Sequence, residues 1–161
     1  MDLEYFKIYI DRLSDGKVES ISHLFSPDFL EQNTEDLSFT SPVEVEGKVY
    51  LAGNELILQL DVRTEAILPC SICNQPVIVP VELKNLYHVE TLDKIKSAIF
   101  IFKDILREAI LLEVPKFAEC SNGNCPMRSK YSHYFSDDIK LDADKKNDDG
   151  GYRPFADLDL N

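Results

Sequence analysis

Three long runs of alternating apolar and polar residues, in the centre of the chain, limit its fold more than any other sequence feature. The first run covers residues 43–51, the second residues 56–68 and the third residues 77–89. Gly53 and Asn54, between the first two runs, are typical of a tight turn. Alternation with a period of two places the apolar side chains on one face of a strand. The three runs therefore predict an antiparallel β-meander with one apolar face that must be covered.

A single amphipathic helix after residue 101 is predicted to cover that face. Its apolar residues recur at helical spacing, with charged residues between them: Phe102, Ile105, Leu106, Ala109 and Leu112. Pro115 ends the helix, because the residue before a proline is driven out of the α region. Pro80, which has no backbone N–H to donate, indicates that the third strand lies at an edge of the sheet. The predicted fold class is α+β, with an antiparallel β-meander covered by one main helix.

All four cysteines of the chain belong to two short pairs. Cys70 and Cys73 form a C-x2-C pair at the turn between the second and third strands, and Cys120 and Cys125 form a C-x4-C pair after the helix. One Zn²⁺ prefers four thiolates in a tetrahedron, and two short loops supply two thiolates each. The sequence thus predicts a structural zinc ion bound by a four-cysteine cluster, which joins the strand turn to the helix exit.

Two other interpretations of the cysteines stay open. In the first, the thiols are idle or transiently oxidised residues that face each other. In the second, Cys70 and Cys73 form a thioredoxin-like redox pair, a motif that needs its first cysteine at the N-terminus of a helix. Asn74, Gln75 and Pro76, which follow the pair, are instead typical of a turn between strands.

The charge of the chain bears on the class of partner. The 161 residues carry a formal net charge of −12, which repels a phosphate backbone and disfavours general nucleic-acid binding. Lys116, Arg128 and Lys130 nevertheless gather around the second cysteine pair in the sequence, with Tyr131 beside them. They are candidate contacts for RNA or another partner. The alternative is a cysteine loop with ordinary solubilising charges.

Composition divides the chain into three predicted regions. Residues 1–135 form a single α+β domain, residues 136–151 an acidic and polar linker, and residues 152–161 an apolar C-terminal motif. Arg153 and Phe155 of that motif are further candidate contacts, whether it docks on its own domain or on a partner. The chain has no basic start followed by an apolar run, and its apolar stretches are shorter than the ~20 residues that span a bilayer. We expect a cytoplasmic protein without membrane contact.

The sequence lacks the expected signatures of an enzyme. It has no phosphate-binding glycine loop, no nucleophile elbow and no H-E-x-x-H motif. His23, His88 and His133 are isolated, and the alternation predicts that His88 lies on the solvent face of the third strand. We therefore expect no catalytic reaction and no small-molecule substrate.

Two motifs resemble those of a bacterial family. They are Leu-Pro-Cys-Ser-Ile-Cys at residues 68–73 and Arg-Glu-Ala-Ile-Leu-Leu-Glu-Val-Pro at residues 107–115. Together with the meander and the second cysteine pair, they resemble the YceD family of large ribosomal RNA subunit accumulation proteins, over residues 43–125. The Arg-Pro-Phe-Ala-x-Leu sequence at residues 153–158 is similar to the closing motif of the family. The chain departs from the family at Ile72 and Asn74, where an arginine and a leucine are common.

The resemblance implies a non-enzymatic factor in ribosome biogenesis, which supports the synthesis, processing or accumulation of large-subunit (23S) ribosomal RNA. The implied partner is a pre-ribosomal particle, ribosomal RNA or a ribosomal protein. One alternative is a protein-interaction module that binds a ribosomal protein or an assembly factor without touching RNA, since an acidic protein can shield a basic one. A second alternative is a metal-dependent ribonuclease or hydrolase that uses surface carboxylates with Mg²⁺.

Overall fold

The structure is a computed structural model, and it describes residues 3–132. Its strands and regular helix are β1 (Lys7–Tyr9), β2 (Val18–Phe25), β3 (Ser38–Phe39), β4 (Val43–Ala52), β5 (Glu55–Pro69), β6 (Pro76–Thr91), β7 (Ile99–Ile101) and α1 (Lys103–Glu113). Shorter helical segments, mostly 3-10, are Leu3–Phe6, Ile10–Gly16, Pro27–Leu30, Leu92–Lys94, Cys120–Gly123 and Pro126–Tyr131.

The chain divides into two compact units, Met1–Arg128 and Ser129–Asn161. Of the second unit, the structure describes residues 129–132. The predicted linker at residues 136–151 and the predicted motif at residues 152–161 therefore lie outside the described residues, as does the end of the domain predicted at residue 135.

A five-stranded antiparallel sheet dominates the first unit. Strands β2, β4, β5 and β6 are neighbours in that order, and the two-residue β3 pairs with β5 beyond the end of β4. Strands β1 and β7 form a separate antiparallel pair. The predicted α+β class with an antiparallel sheet is confirmed. No helix among residues 3–132 is long and apolar enough to cross a membrane.

The turn between β4 and β5 follows from its two central residues. Ala52 pairs with Glu55, which leaves Gly53 and Asn54 as a two-residue connection. Gly53 has a φ of +60°, a left-handed conformation that costs glycine nothing because it has no Cβ. Glycine occurs at position 53 because the turn needs a left-handed backbone there. The two-residue turn then fixes the register of β4 against β5.

A bulge in β6 changes which side chains face the core. Leu86 pairs with Leu60 and Leu83 with Val62, so β6 has one residue more than β5 between these pairs. Asn85, in the bulge, has a φ of +57° and donates its backbone N–H to Asp61 Oδ1 at 2.7 Å. The extra residue reverses the alternation for the rest of the strand.

The reversal makes the sequence-based assignment of faces wrong beyond the bulge. The alternation of residues 77–89 predicts that Tyr87 and Val89 face inward, but both are exposed. His88, predicted to face solvent, pairs with the core residue Leu58 and stacks on the ring of Phe100, with centroids 5.9 Å apart. His88 Nε2 is buried without a hydrogen-bond partner among the described residues.

The core lies between the inner face of the sheet and the elements that cover it. Leu106 and Ile110 of α1 are fully buried there, Phe6 and Phe29 enter from the shorter segments, and Phe102 enters from the position before α1. Their aromatic rings pack closely, with Phe6 and Phe29 centroids 5.1 Å apart and Phe6 and Phe102 centroids 5.7 Å apart. Burial of this apolar surface is the main term that stabilises the unit.

Candidate metal centre

The first cysteine pair lies on the tight turn between β5 and β6. Cys70 donates its backbone N–H to Gln75 O at 2.7 Å, and Asn74 donates its own to Cys70 O at 2.9 Å. Asn74 has a φ of +64°, which asparagine tolerates better than most residues. These bonds close the turn and fix Cys70 and Cys73 three residues apart on one rigid loop.

The second pair is brought to this turn by the chain that leaves α1. Ala118 forms a parallel β-bridge with Cys70, and its carbonyl accepts hydrogen bonds from Ser71 N at 2.8 Å and Ser71 Oγ at 2.6 Å. Ser121 and Asn122 then adopt φ angles of 55° and 53°, so the loop turns sharply before it reaches the last cysteine. The two cysteine loops are thereby joined through backbone hydrogen bonds.

The four thiols converge on one place. The Sγ atoms of Cys70, Cys73, Cys120 and Cys125 all lie within 4.8 Å of one another, and no disulfide joins them. Cys73 Sγ and Cys120 Sγ are 3.7 Å apart. Zn–S bonds of about 2.3 Å in a tetrahedron place the sulfur atoms about 3.8 Å apart. These four cysteines are able to hold a metal ion, and they form the one such group of His, Cys, Asp and Glu side chains among residues 3–132.

Backbone hydrogen bonds and mutual contact divide the thiols electrostatically. N–H groups of Cys73, Cys120 and Ile72 point at Cys70 and lower the pKa of its thiol to about 6. Contact with the Cys125 thiol, followed by burial, raises the pKa of Cys120 to about 12, and burial raises the pKa of Cys125. Near neutral pH the Cys70 thiolate thus forms easily, while Cys120 and Cys125 keep their protons. A divalent cation would stabilise all four thiolates and release those protons.

An ion pair supports the second loop from behind. Glu119 Oε1 accepts the backbone N–H of Cys125 at 3.0 Å and Arg128 Nε at 3.0 Å, and Glu119 Oε2 accepts Arg128 Nη2. The bidentate Arg128 contact and the Cys125 N–H hold the pKa of Glu119 below its usual range. The carboxylate therefore fixes the approach of Cys125 to the cluster.

Replacing Glu119 tests this support. Glu119→Gln removes the charge that holds Arg128 and Cys125 N–H, so we expect zinc affinity to fall about tenfold, as for other groups that orient metal ligands. Competition with a chromogenic chelator measures the affinity. Glu108→Gln, on the exposed side of α1, is the control and should leave the affinity unchanged. Equal affinities for Glu119→Gln and wild type would contradict a supporting role.

The structure separates the other candidate contact residues. Arg128 is engaged with Glu119, whereas Lys116 and Lys130 are exposed and Tyr131 is 41% exposed. Arg153 and Phe155 lie outside the described residues. Whether any of these residues contacts RNA or another partner stays a prediction.

Glu119 was not identified from the sequence as a residue of the site. An acid next to a cysteine ligand and nine residues before an arginine is a weak signal of a supporting pair.

The assignment of Leu112 to the apolar face of the helix is wrong. Leu112 is 79% exposed, and Phe117, which follows the helix, is 81% exposed. The buried stripe of α1 instead follows Leu106 and Ile110, four residues apart.

Comparison of the chain with protein-family models, curated proteins and solved structures gives no match.

Proposed function

We propose that this protein is a non-enzymatic factor of the bacterial cytoplasm that supports the accumulation of large-subunit (23S) ribosomal RNA. One structural Zn²⁺, bound by Cys70, Cys73, Cys120 and Cys125, holds the end of β5 to the chain that leaves α1. The direct partner is a pre-ribosomal particle or one of its components.

The observation that supports this proposal most is the convergence of the two cysteine pairs. The motif at residues 68–73 supplies one pair at the end of β5, and the motif at residues 107–115 forms most of α1, whose exit supplies the other. The first motif thus carries one half of the cysteine cluster, and the chain that follows the second motif carries the other half. The YceD resemblance includes both cysteine pairs, so their convergence supports the family proposal more than either motif alone.

The coordination chemistry of the cluster supports a structural rather than a catalytic role. Catalytic zinc keeps an open position for water or substrate, with three protein ligands. Four cysteine thiolates would occupy every tetrahedral position and leave none for a reacting group. We therefore propose that the metal stabilises the fold and that a surface of the protein binds the partner.

Deletion of the gene tests the proposed function. We expect the amount of large-subunit ribosomal RNA to fall relative to small-subunit RNA, measured by quantitative RNA analysis and by sucrose-gradient profiles of the subunits. Wild-type protein supplied from a plasmid should restore the ratio, and a Cys70→Ser variant should not. Normal subunit ratios in the deletion strain would reject the proposal.

A further inference from the structure

The side of the sheet that faces away from the core, called here the outer face, is not covered by any element within residues 3–132. It consists of the outward residues of β2, β4, β5 and β6, since residues paired across antiparallel strands share a face. Among residues 3–132, every outward side chain of these four strands is exposed or half-buried except that of Ile57. The elements that pack on the sheet contribute to the core on its other side. Within the described part of the chain, the outer face is therefore a broad surface open to a partner.

The outer face carries an excess of negative charge. Its six carboxylates belong to Glu44, Glu46, Glu55, Asp61, Glu65 and Glu82. Its three cations belong to Lys48, Arg63 and Lys84, the last an exposed residue of the bulge. Arg63 Nη1 lies 3.9 Å from Glu44 Oε2, a distant pair that is exposed to solvent. Glu46 and Glu82 have no cationic partner within residues 3–132. Such a surface repels the phosphate backbone of a nucleic acid and attracts a positively charged protein segment.

Apolar side chains cross one end of the same face. Val18, Tyr50, Ile57 and Val89 are paired in one row across the four strands, and Tyr87 lies in the next row. Val18 is 58% exposed, Tyr87 52% and Val89 37%, although all three are large and apolar or aromatic. An exposed group of this kind beside charged residues is typical of a protein interface, where tyrosine is enriched.

The bulge in β6 opens a recess on this face. A cavity of about 370 Å³ is lined by polar side chains that include Lys48, Gln59, Asp61 and Asn85. Asp61 is exposed at its wall and accepts the Asn85 N–H, which leaves the second carboxylate oxygen for an incoming donor. The recess is large enough for a long side chain such as that of lysine or arginine.

We propose that the outer face binds a lysine- and arginine-rich protein segment that also carries apolar or aromatic residues. The basic side chains would contact the carboxylates around Glu46, Asp61 and Glu82, and the apolar residues would cover the row from Val18 to Val89. Charge complementarity selects this partner over RNA, and it speeds association as well as fixing register. This partner class rests on the proposed function, since the proteins of a pre-ribosomal particle that coat its RNA are basic.

Peptide binding by the zinc-loaded full chain tests the surface. The probe is a fluorescein-labelled peptide rich in lysine and arginine with interspersed leucine and phenylalanine, followed by fluorescence anisotropy at about 150 mM ionic strength. We expect Glu46→Lys with Glu82→Lys to weaken binding at least about tenfold, because both reverse charges at the docking surface. Tyr87→Ser should weaken it as well, through the apolar row.

A control variant with the same change in net charge distinguishes an effect of the outer face from an effect of the total charge of the protein. Glu108→Lys with Glu113→Lys on α1 changes the net charge of the chain by the same amount, at two exposed positions away from the outer face. We expect a loss below about twofold for this pair. Circular dichroism and zinc content of every variant establish that the fold is kept.

Three outcomes would overturn the surface assignment. They are equal losses for the two charge-reversal pairs, no measurable peptide binding, or tighter binding of a labelled single-stranded RNA than of the peptide. The proposed function fails separately, by normal ribosomal RNA ratios in the deletion strain. Selective peptide binding in that case would keep the basic partner and remove the ribosomal context.

Discussion

Protein purified without a chelator is expected to contain about one zinc ion per chain, and Cys70→Ser is expected to lose both the metal and much of the thermal stability. Cys70 is 2% exposed, and its loop joins the second loop at Ala118. Because a structural zinc site forms only in the folded chain, its binding free energy adds to stability. We expect the unfolding temperature to fall by at least about 10 °C, measured by calorimetry with metal analysis of the same sample.

The double variant distinguishes a shared metal from independent buried thiols. Cys120→Ser should lower the unfolding temperature as Cys70→Ser does, and adding it to Cys70→Ser should have little further effect, because both remove one site. Ser20→Ala, at an exposed position of β2, is the neutral control. Fully additive losses, or less than about a tenth of a zinc ion per chain with all four thiols reactive in the native state, would exclude the metal.

Gly47→Ala is expected to destabilise the sheet by about 3 kcal/mol, which is large for the addition of one methyl group. Gly47 pairs with Leu60, and a Cβ at position 47 would collide with the backbone carbonyl of Gln59 and lie 2.9 Å from Leu60 Cα. Both obstacles are backbone atoms, so β4 and β5 would have to separate. Urea unfolding at a fixed zinc concentration measures the change, since bound metal contributes to apparent stability.

Lys48→Ala is the matched control for that experiment. Lys48 is the exposed neighbour of Gly47 on the outer face, so its replacement should change the free energy of unfolding by less than about 0.5 kcal/mol. A Gly47→Ala variant that is as stable as Lys48→Ala would show that β4 and β5 adjust without cost at this point.

The sequence predicted the features that rest on local patterns. Strands β4 and β5 alternate over most of their length because one face packs against the core, and Gly53 marks their turn because a left-handed backbone favours glycine. The convergence of the four cysteines was predictable because thiolate pairs with this regular spacing have few uses other than metal binding. In each case a physical requirement of one residue or one short segment fixes the residue type.

Features that depend on long-range pairing were not predictable in the same way. Strand β2 places Glu19 and His23 at inward positions, which weakens its alternation, and its pairing with β4 is what makes it a strand. The reversal at Asn85 depends on one extra residue, and asparagine alone does not reveal a bulge. The contact between Glu119 and Arg128 follows from how the cysteine loop folds back. The sequence carries no local record of the first two features and only a weak signal of the third.

The position of β6 bears on how the protein behaves at high concentration. Among the described strands, β6 pairs with β5 alone over sixteen residues, and a long unpaired strand margin is a template for fibrous self-association. Pro76 and Pro80 remove two backbone donors from this margin, and the distortion at Asn85 bends it. The free edge of β6 therefore offers no long, straight row of backbone hydrogen-bonding groups to another molecule. The β-bulge at Asn85, which forms the recess on the outer face, also opposes edge-to-edge aggregation of the sheet.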